Sequence, residues 1–205
     1  RKESSAASDV YKRQAVYGAL GAQAVDEGQW PQPTLSYGMH KWMVELLVAD
    51  YSRRGDIDGR SLRLPGIVAR PPAETGHGSA FMSQIFHALR ARQAYMCPVS
   101  PQATAWWMSL GCCLDNLVHA ARLPAEGLPA ERCWQPPVLR ASVEEVVQAI
   151  ARAVHADPAE WIRYAPDAHI ETLFGRLPAL HTPRAEAVGF QNDGSLQSLV
   201  TRVLG

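Results

Sequence analysis

The chain has 205 residues, 20 basic and 20 acidic side chains, a formal net charge of zero at neutral pH and 47% hydrophobic residues. The arginines are scattered and not gathered into a stripe, which excludes a nucleic-acid-binding surface. No apolar run approaches the ~20 residues of a membrane span, and the amino end lacks the apolar core of a signal peptide. The length suffices for one sizeable core or two small ones.

Taken in order, residues 15–18, Ala-Val-Tyr-Gly, read as a strand end running into a glycine turn. A polar loop follows to residue 34, held out of helix by Pro31 and Pro33. A helix then runs from Ser36 to the basic Arg53 and Arg54, where Gly55 stops it. Residues four apart share a helix face, so Tyr37 and Lys41 point together, phenol beside ammonium. A phenol titrates near ~10 in water. An adjacent cation favours the phenolate and brings it towards acid/base work at neutral pH. Tyr-x-x-x-Lys is a weak signal by itself. It gains weight because the lysines are Lys2, Lys12 and Lys41 alone among twenty basic residues. An ammonium is a compact charge that the broad guanidinium fork does not replace freely. Trp42, Met43, Leu46, Leu47 and Tyr51 make this helix apolar on more than one side, which predicts cover on two sides. His40 points off the Tyr37 face and has no role.

Residues 61–68, Ser-Leu-Arg-Leu-Pro-Gly-Ile-Val, read as a strand broken by Pro65-Gly66. Such a break suits a sheet edge or a ligand lying against the strand end. Arg70 opens a loop that passes through Gly76-His77-Gly78 to Ser79. Arg70 is either a bidentate grip for a substrate carboxylate or a solvated loop residue. Ser79 is either a substrate contact or a helix cap. A helix over residues 80–91 carries Phe81, Ile85, Phe86 and Leu89 on one face. Strands follow at 94–99 and 103–108, the latter with Trp106-Trp107 as core packing. A helix spans 112–122. A strand at 133–139 is weakened by Pro136-Pro137. Ser142 and Glu145 form a capping box that opens a helix through residue 154. A short strand is expected at 161–164, with helices at 168–174, at 183–188 behind Thr182 and Pro183, and at 195–203. This alternation predicts an α/β layered architecture. Cys97, Cys112, Cys113 and Cys133 form no Cys-x-x-Cys, which points to buried thiols in a reducing cytoplasm and to no metal site.

With these residues in hand, the chain resembles an extended short-chain dehydrogenase/reductase of the NAD-dependent epimerase/dehydratase group, and within it the D-erythronate dehydrogenases. The resemblance covers essentially everything after residue 14. It is carried by Ala15-Val16-Tyr17-Gly18, by Ser36-Tyr37-Gly38 with Lys41, by Glu45-Leu46-Leu47, by Asp50-Tyr51-Ser52-Arg53-Arg54-Gly55, by Gly59-Arg60 with Leu62-Arg63-Leu64-Pro65, by Arg70-Pro71 and by Ala185 to Phe190. Residues 1–14 resemble an in-frame adapter leader, and the expectation is the carboxy-terminal part of a longer enzyme.

The resemblance implies a fold made of the carboxy-terminal part of a Rossmann-type parallel sheet over residues 15–71, joined to a small α/β substrate-binding domain over 72–205 that returns some elements to the Rossmann core. It implies NAD as cofactor in preference to NADP. Tyr37 would be the general base, Lys41 would hold the nicotinamide ribose hydroxyls, and Leu64 and Pro65 would place backbone beside the nicotinamide. The family's catalytic Ser or Thr falls at Arg13, and the glycine-rich phosphate turn is not in this sequence. The implied function is oxidation of a hydroxyl on a small sugar acid by a cytoplasmic homodimer. The alternatives are a nucleotide-sugar epimerase/dehydratase and a non-catalytic dinucleotide-sensing regulator. Two departures, Pro72-Ala73-Glu74-Thr75 and Ser109-Leu110-Gly111, fall where substrate contacts are expected.

Overall fold

A computed structural model describes residues 16–18, 20–21, 23–71 and 78–205. The position expected to hold the family's catalytic hydroxyl, Arg13, lies outside the described residues, as do Pro72 to His77. The fold is α/β.

The amino-terminal segment differs from expectation. Val16 to Gly18 make a turn and not a strand. The Val16 carbonyl accepts from the amide of Gln32 at 2.9 Å, so it is spent on a crossing loop and not on a ladder. Val16 and Tyr17 are buried against Trp106 and Leu177. Gly18 has φ +68°, and a Cβ there would meet the Gln32 carbonyl oxygen at 2.0 Å, so only glycine permits this crossing. The strand in this region is instead β1 (Val25–Asp26), inside the expected loop, paired in parallel with β9 (Leu180–His181).

Helix α1 (Ser36–Arg53) bears Tyr37 and Lys41. It is followed by β2 (Ser61–Leu62) and β3 (Gly66–Val68). Pro65-Gly66 divides these two strands between different sheets, with β2 parallel to β6 (Cys133–Trp134) and β3 parallel to β5 (Thr104–Ser109). Strand β7 (Leu139–Ser142) completes the β3–β5–β7 sheet in antiparallel sense. Pro136 and Pro137 lack amide hydrogens, which accounts for the gap between β6 and β7. Strand β4 (Tyr95–Cys97) pairs in parallel with β8 (Ile162–Tyr164).

Side chains alternate across β5. Trp107 enters the core shared with α2 (Phe81–Ala91), α4 (Val143–Val154) and α8 (Leu196–Leu204). Met108 enters a second core with Leu62, Leu64, Ile67, α3 (Leu110–Arg122) and Phe190. Trp106 joins Val16 and Tyr17. The Ser142–Glu145 capping box is present with both of its bonds. Short helices α5 (Pro158–Trp161), α6 (Ala168–Phe174) and α7 (Pro183–Ala187) link the later elements. Burial pushes the Cys97 thiol up to about 11 and the Cys112 thiol up to about 12, so both remain protonated near neutral pH. Among the described residues, no helix is long and apolar enough to cross a membrane.

Candidate active site

Helix α1 is turned inside out. Its buried residues are Gly38, Lys41, Glu45 and Ser52, while Met39, Met43, Val44, Leu46, Leu47 and Tyr51 are exposed. Polar side chains therefore face the protein at one-turn spacing, and the inward face of α1 acts as a holder of functional groups. The Lys41 ammonium lies 5.3 Å from the centroid of the Tyr37 ring, and only 8% of Lys41 is exposed. The i, i+4 juxtaposition read from the sequence is thus realised.

Tyr37 lines a cavity of about 140 Å³. Five segments contribute to it. The amino-terminal turn gives Gly18, the approach to α1 gives Thr34, and β3 with its continuation gives Gly66, Ile67 and Arg70. Across from them stand Ser79 and Met82 at the start of α2, with Phe174 from the end of α6. Tyr37, Arg70 and Ser79, singled out separately in the sequence, thus meet on one wall system. Ser79 lies in a 3-10 turn, Gly78–Ala80, and the N-cap position of α2 is Ala80 with no side-chain cap bond.

Arg70 is fixed by its backbone and reaches in with its side chain. Its amide donates to the Ser83 hydroxyl at 3.0 Å, and its carbonyl meets His87 Nε2 at 2.6 Å. Its guanidinium Nη2 donates to the Ser79 carbonyl at 3.3 Å. One edge of the fork is so anchored on the cavity wall.

Leu64 and Pro65 stand just before the wall. Leu64 is 1% exposed and packs with Leu62 and Met108, and the cavity is lined by the next two residues, Gly66 and Ile67. Sequence reasoning missed Thr34, Met82 and Phe174. Thr34, a hydroxyl three residues before Tyr37, offered a signal. The other two are ordinary apolar residues of helices.

A buried cluster joins α1 to the segment between β2 and β3. Arg63 pairs with Glu45 through Nη2 to Oε2 at 3.0 Å and donates from Nη1 to the Tyr17 hydroxyl at 3.1 Å. Burial pushes the Tyr17 phenol up to about 12, with the Arg63 charge pulling it the other way. Tyr17 is therefore a neutral phenol at physiological pH.

No protein-family model matches the chain. Over 187 residues it is 34% identical to a D-erythronate dehydrogenase of Cupriavidus necator, covering 91% of this chain and 58% of that protein. It is 27% identical to a D-erythronate dehydrogenase of Haemophilus influenzae, covering 93% of this chain and 61% of that protein. In structure it superposes with a TM-score of 0.81 on a nucleoside-diphosphate-sugar epimerase from Agrobacterium tumefaciens at 31% identity, covering 91% of this chain and 55% of that one. The chain is a relative of the extended short-chain dehydrogenase/reductases. A GalE-like L-threonine dehydrogenase from Cupriavidus necator, TM-score 0.79 at 21% identity over 93% of this chain and 61% of that one, shares the same fold. That fold is Rossmann-type, as the parallel β2–β6 and β3–β5 pairs foreshadow. The chain spans a little under two thirds of the length of the dehydrogenases it matches.

The short-chain dehydrogenase/reductase fold implies a nicotinamide dinucleotide, and the residues present fit the ribose end of one. A largely buried ammonium beside a phenol is a donor set suited to vicinal hydroxyls, because lysine offers three hydrogens and no acceptor.

Proposed function

We propose that this chain carries the catalytic and substrate-binding side of an NAD-dependent oxidoreductase that oxidises a hydroxyl of a small sugar acid resembling D-erythronate. The observation that carries this reading is the joining of Tyr37, Arg70 and Ser79 around one small cavity, with Lys41 behind the phenol. Bound NAD supplies the hydride acceptor. Tyr37, as phenolate, takes the proton of the substrate hydroxyl. Lys41 holds the ribose hydroxyls and favours the phenolate. Arg70 pairs with the substrate carboxylate, and Ser79 contributes a hydroxyl beside it. Leu64 and Pro65 are assigned to the backbone flanking the nicotinamide.

A regulator that only senses the dinucleotide has no use for a base at a substrate cavity, which places that reading behind the enzyme.

The carboxylate role of Arg70 is tested by Arg70→Met in a protein that joins this chain to a dinucleotide-binding half. A charge-assisted hydrogen bond contributes about 1.5–3 kcal/mol, so KM for D-erythronate should rise about 10- to 100-fold with kcat changed only a few-fold. An unchanged KM removes Arg70 from substrate binding.

The exposed apolar face of α1 is assigned to a homodimer contact. The same face, Met43, Leu46 and Leu47 among others, is about half exposed in the single chain, and a contiguous apolar patch of this kind marks an interaction surface. Light scattering should give twice the monomer mass, and Leu47→Glu should give the monomer mass. A wild-type monomer at micromolar concentration contradicts the assignment.

A further inference from the structure

Strand β3 ends at Val68, paired with Ser109 of β5. At Arg70 the main chain has left the ladder, and its half-buried amide and carbonyl need other partners. Helix α2 supplies both. The Arg70 amide donates to the Ser83 hydroxyl at 3.0 Å, and the Arg70 carbonyl lies 2.6 Å from His87 Nε2. A carbonyl brings no hydrogen, so Nε2 carries one and donates. Ser83 and His87 are four residues apart and share one helix face. They grip the two sides of a single residue. The helix that carries them is set in the main core by Ile85, Phe86 and Leu89, and Ser83 is buried with these apolar residues. A further anchor comes from the same stretch. Arg70 Nη2 donates to the Ser79 carbonyl, in the turn that leads into α2. Amide, carbonyl and guanidinium of Arg70 are thus each bonded to a residue between 79 and 87.

We propose that His87 and Ser83 are positioning residues for substrate recognition: by holding the main chain of Arg70 from both sides, they set where its guanidinium meets the substrate carboxylate. This rests on the reading of Arg70 as the carboxylate's partner. Neither Ser83 nor His87 is among the described residues that line the cavity, and their part is played through Arg70.

A charge-assisted hydrogen bond depends on distance and angle. Releasing the main chain at Arg70 lets the guanidinium drift from the carboxylate. That contact is made to the bound substrate and to the transition state alike, because the carboxylate takes no part in the hydride transfer. Its weakening therefore raises KM and leaves kcat nearly unchanged. His87→Leu keeps an apolar side chain in place of the ring and removes the donor, which leaves the Arg70 carbonyl without this bond. His87→Gln returns an N–H donor at similar reach.

The experiment is steady-state kinetics with D-erythronate and saturating NAD, in the protein that joins this chain to a dinucleotide-binding half. The variants are His87→Leu, His87→Gln, Arg70→Met and the double variant of His87→Leu with Arg70→Met. His87→Leu should raise KM about 10-fold, within the rise of about 10- to 100-fold expected for Arg70→Met, with kcat changed only a few-fold. His87→Gln should bring KM back close to that of the wild type. In the double variant, His87→Leu should add less than about twofold to the KM of Arg70→Met, because a residue acting through Arg70 has nothing left to position. If His87→Leu does not fold, Ser83→Ala takes its place with the same expectations, since it removes the acceptor of the Arg70 amide. Additive effects in the double variant, no recovery in His87→Gln, or an unchanged KM in His87→Leu beside a raised one in Arg70→Met overturns the proposal, because a side chain that serves packing alone acts without regard to Arg70. An unchanged KM in Arg70→Met brings down the carboxylate reading itself, and the positioning role with it.

Discussion

Tyr37→Phe should lower turnover by about 10²–10⁴, the usual share of a positioned acid/base group, while leaving affinity for NAD nearly unchanged. The change removes one hydroxyl and keeps the ring. Lys41, on the buried face of α1, keeps the aromatic ring it lies over. The lost group acts on the substrate proton, which matters in the transition state more than in binding, so kcat falls and the dissociation constant for NAD does not. Steady-state kinetics together with an NAD binding isotherm checks both halves. Turnover near that of the wild type removes Tyr37 from the mechanism.

Trp107→Ala should have the largest effect on stability, a loss of about 3–5 kcal/mol, the range for truncating a buried aromatic. Trp107 is fully buried at the middle of the β3–β5–β7 sheet, opposite Gly66 on one side and Leu139 on the other. Its ring fills the core beneath α2 and α4, and its Nε1 donates to the Ala141 carbonyl at 3.0 Å. Truncation leaves both a cavity and a buried carbonyl without its donor. Total stabilities run to about 5–15 kcal/mol, so the loss is a large fraction of what holds the fold. Urea unfolding followed by circular dichroism gives the number. Trp30→Ala is the control, since Trp30 is 69% exposed, and surface changes usually stay within about ±0.5 kcal/mol. A loss below about 1 kcal/mol for Trp107→Ala would mean that the core closes over the gap.

Much of this architecture could be read from the sequence because its signals are local. The Ser142–Glu145 box, Pro183 at a first helical position and the Pro65-Gly66 break each announce an element through the chemistry of neighbouring residues, and the structure has all three. The Tyr37–Lys41 pair belongs to the same kind, since four residues fix a helix face. The orientation of α1 does not. Its leucines and methionines suggested cover on two sides, yet its inward stripe is Gly38, Lys41, Glu45 and Ser52. Hydrophobic patterning assigns the apolar side to the interior, and that rule fails where the interior face holds functional groups. Strands β1 and β9 were invisible for another reason. Two residues carry no period, and these strands exist through pairing between positions 25–26 and 180–181. Phe174 likewise reaches the cavity from well over a hundred residues beyond Tyr37, a closeness that no local pattern encodes.

On the proposed reading, the cavity at Tyr37 serves dehydrogenation of a small hydroxy acid. The most direct measurement joins this chain to a dinucleotide-binding half and follows reduced nicotinamide by absorbance, with NAD and D-erythronate in one assay and NAD and a nucleotide sugar in another. The account predicts accumulation of reduced cofactor with D-erythronate and none with the nucleotide sugar. Epimerised nucleotide sugar without net cofactor reduction, and no reaction with D-erythronate, would contradict it.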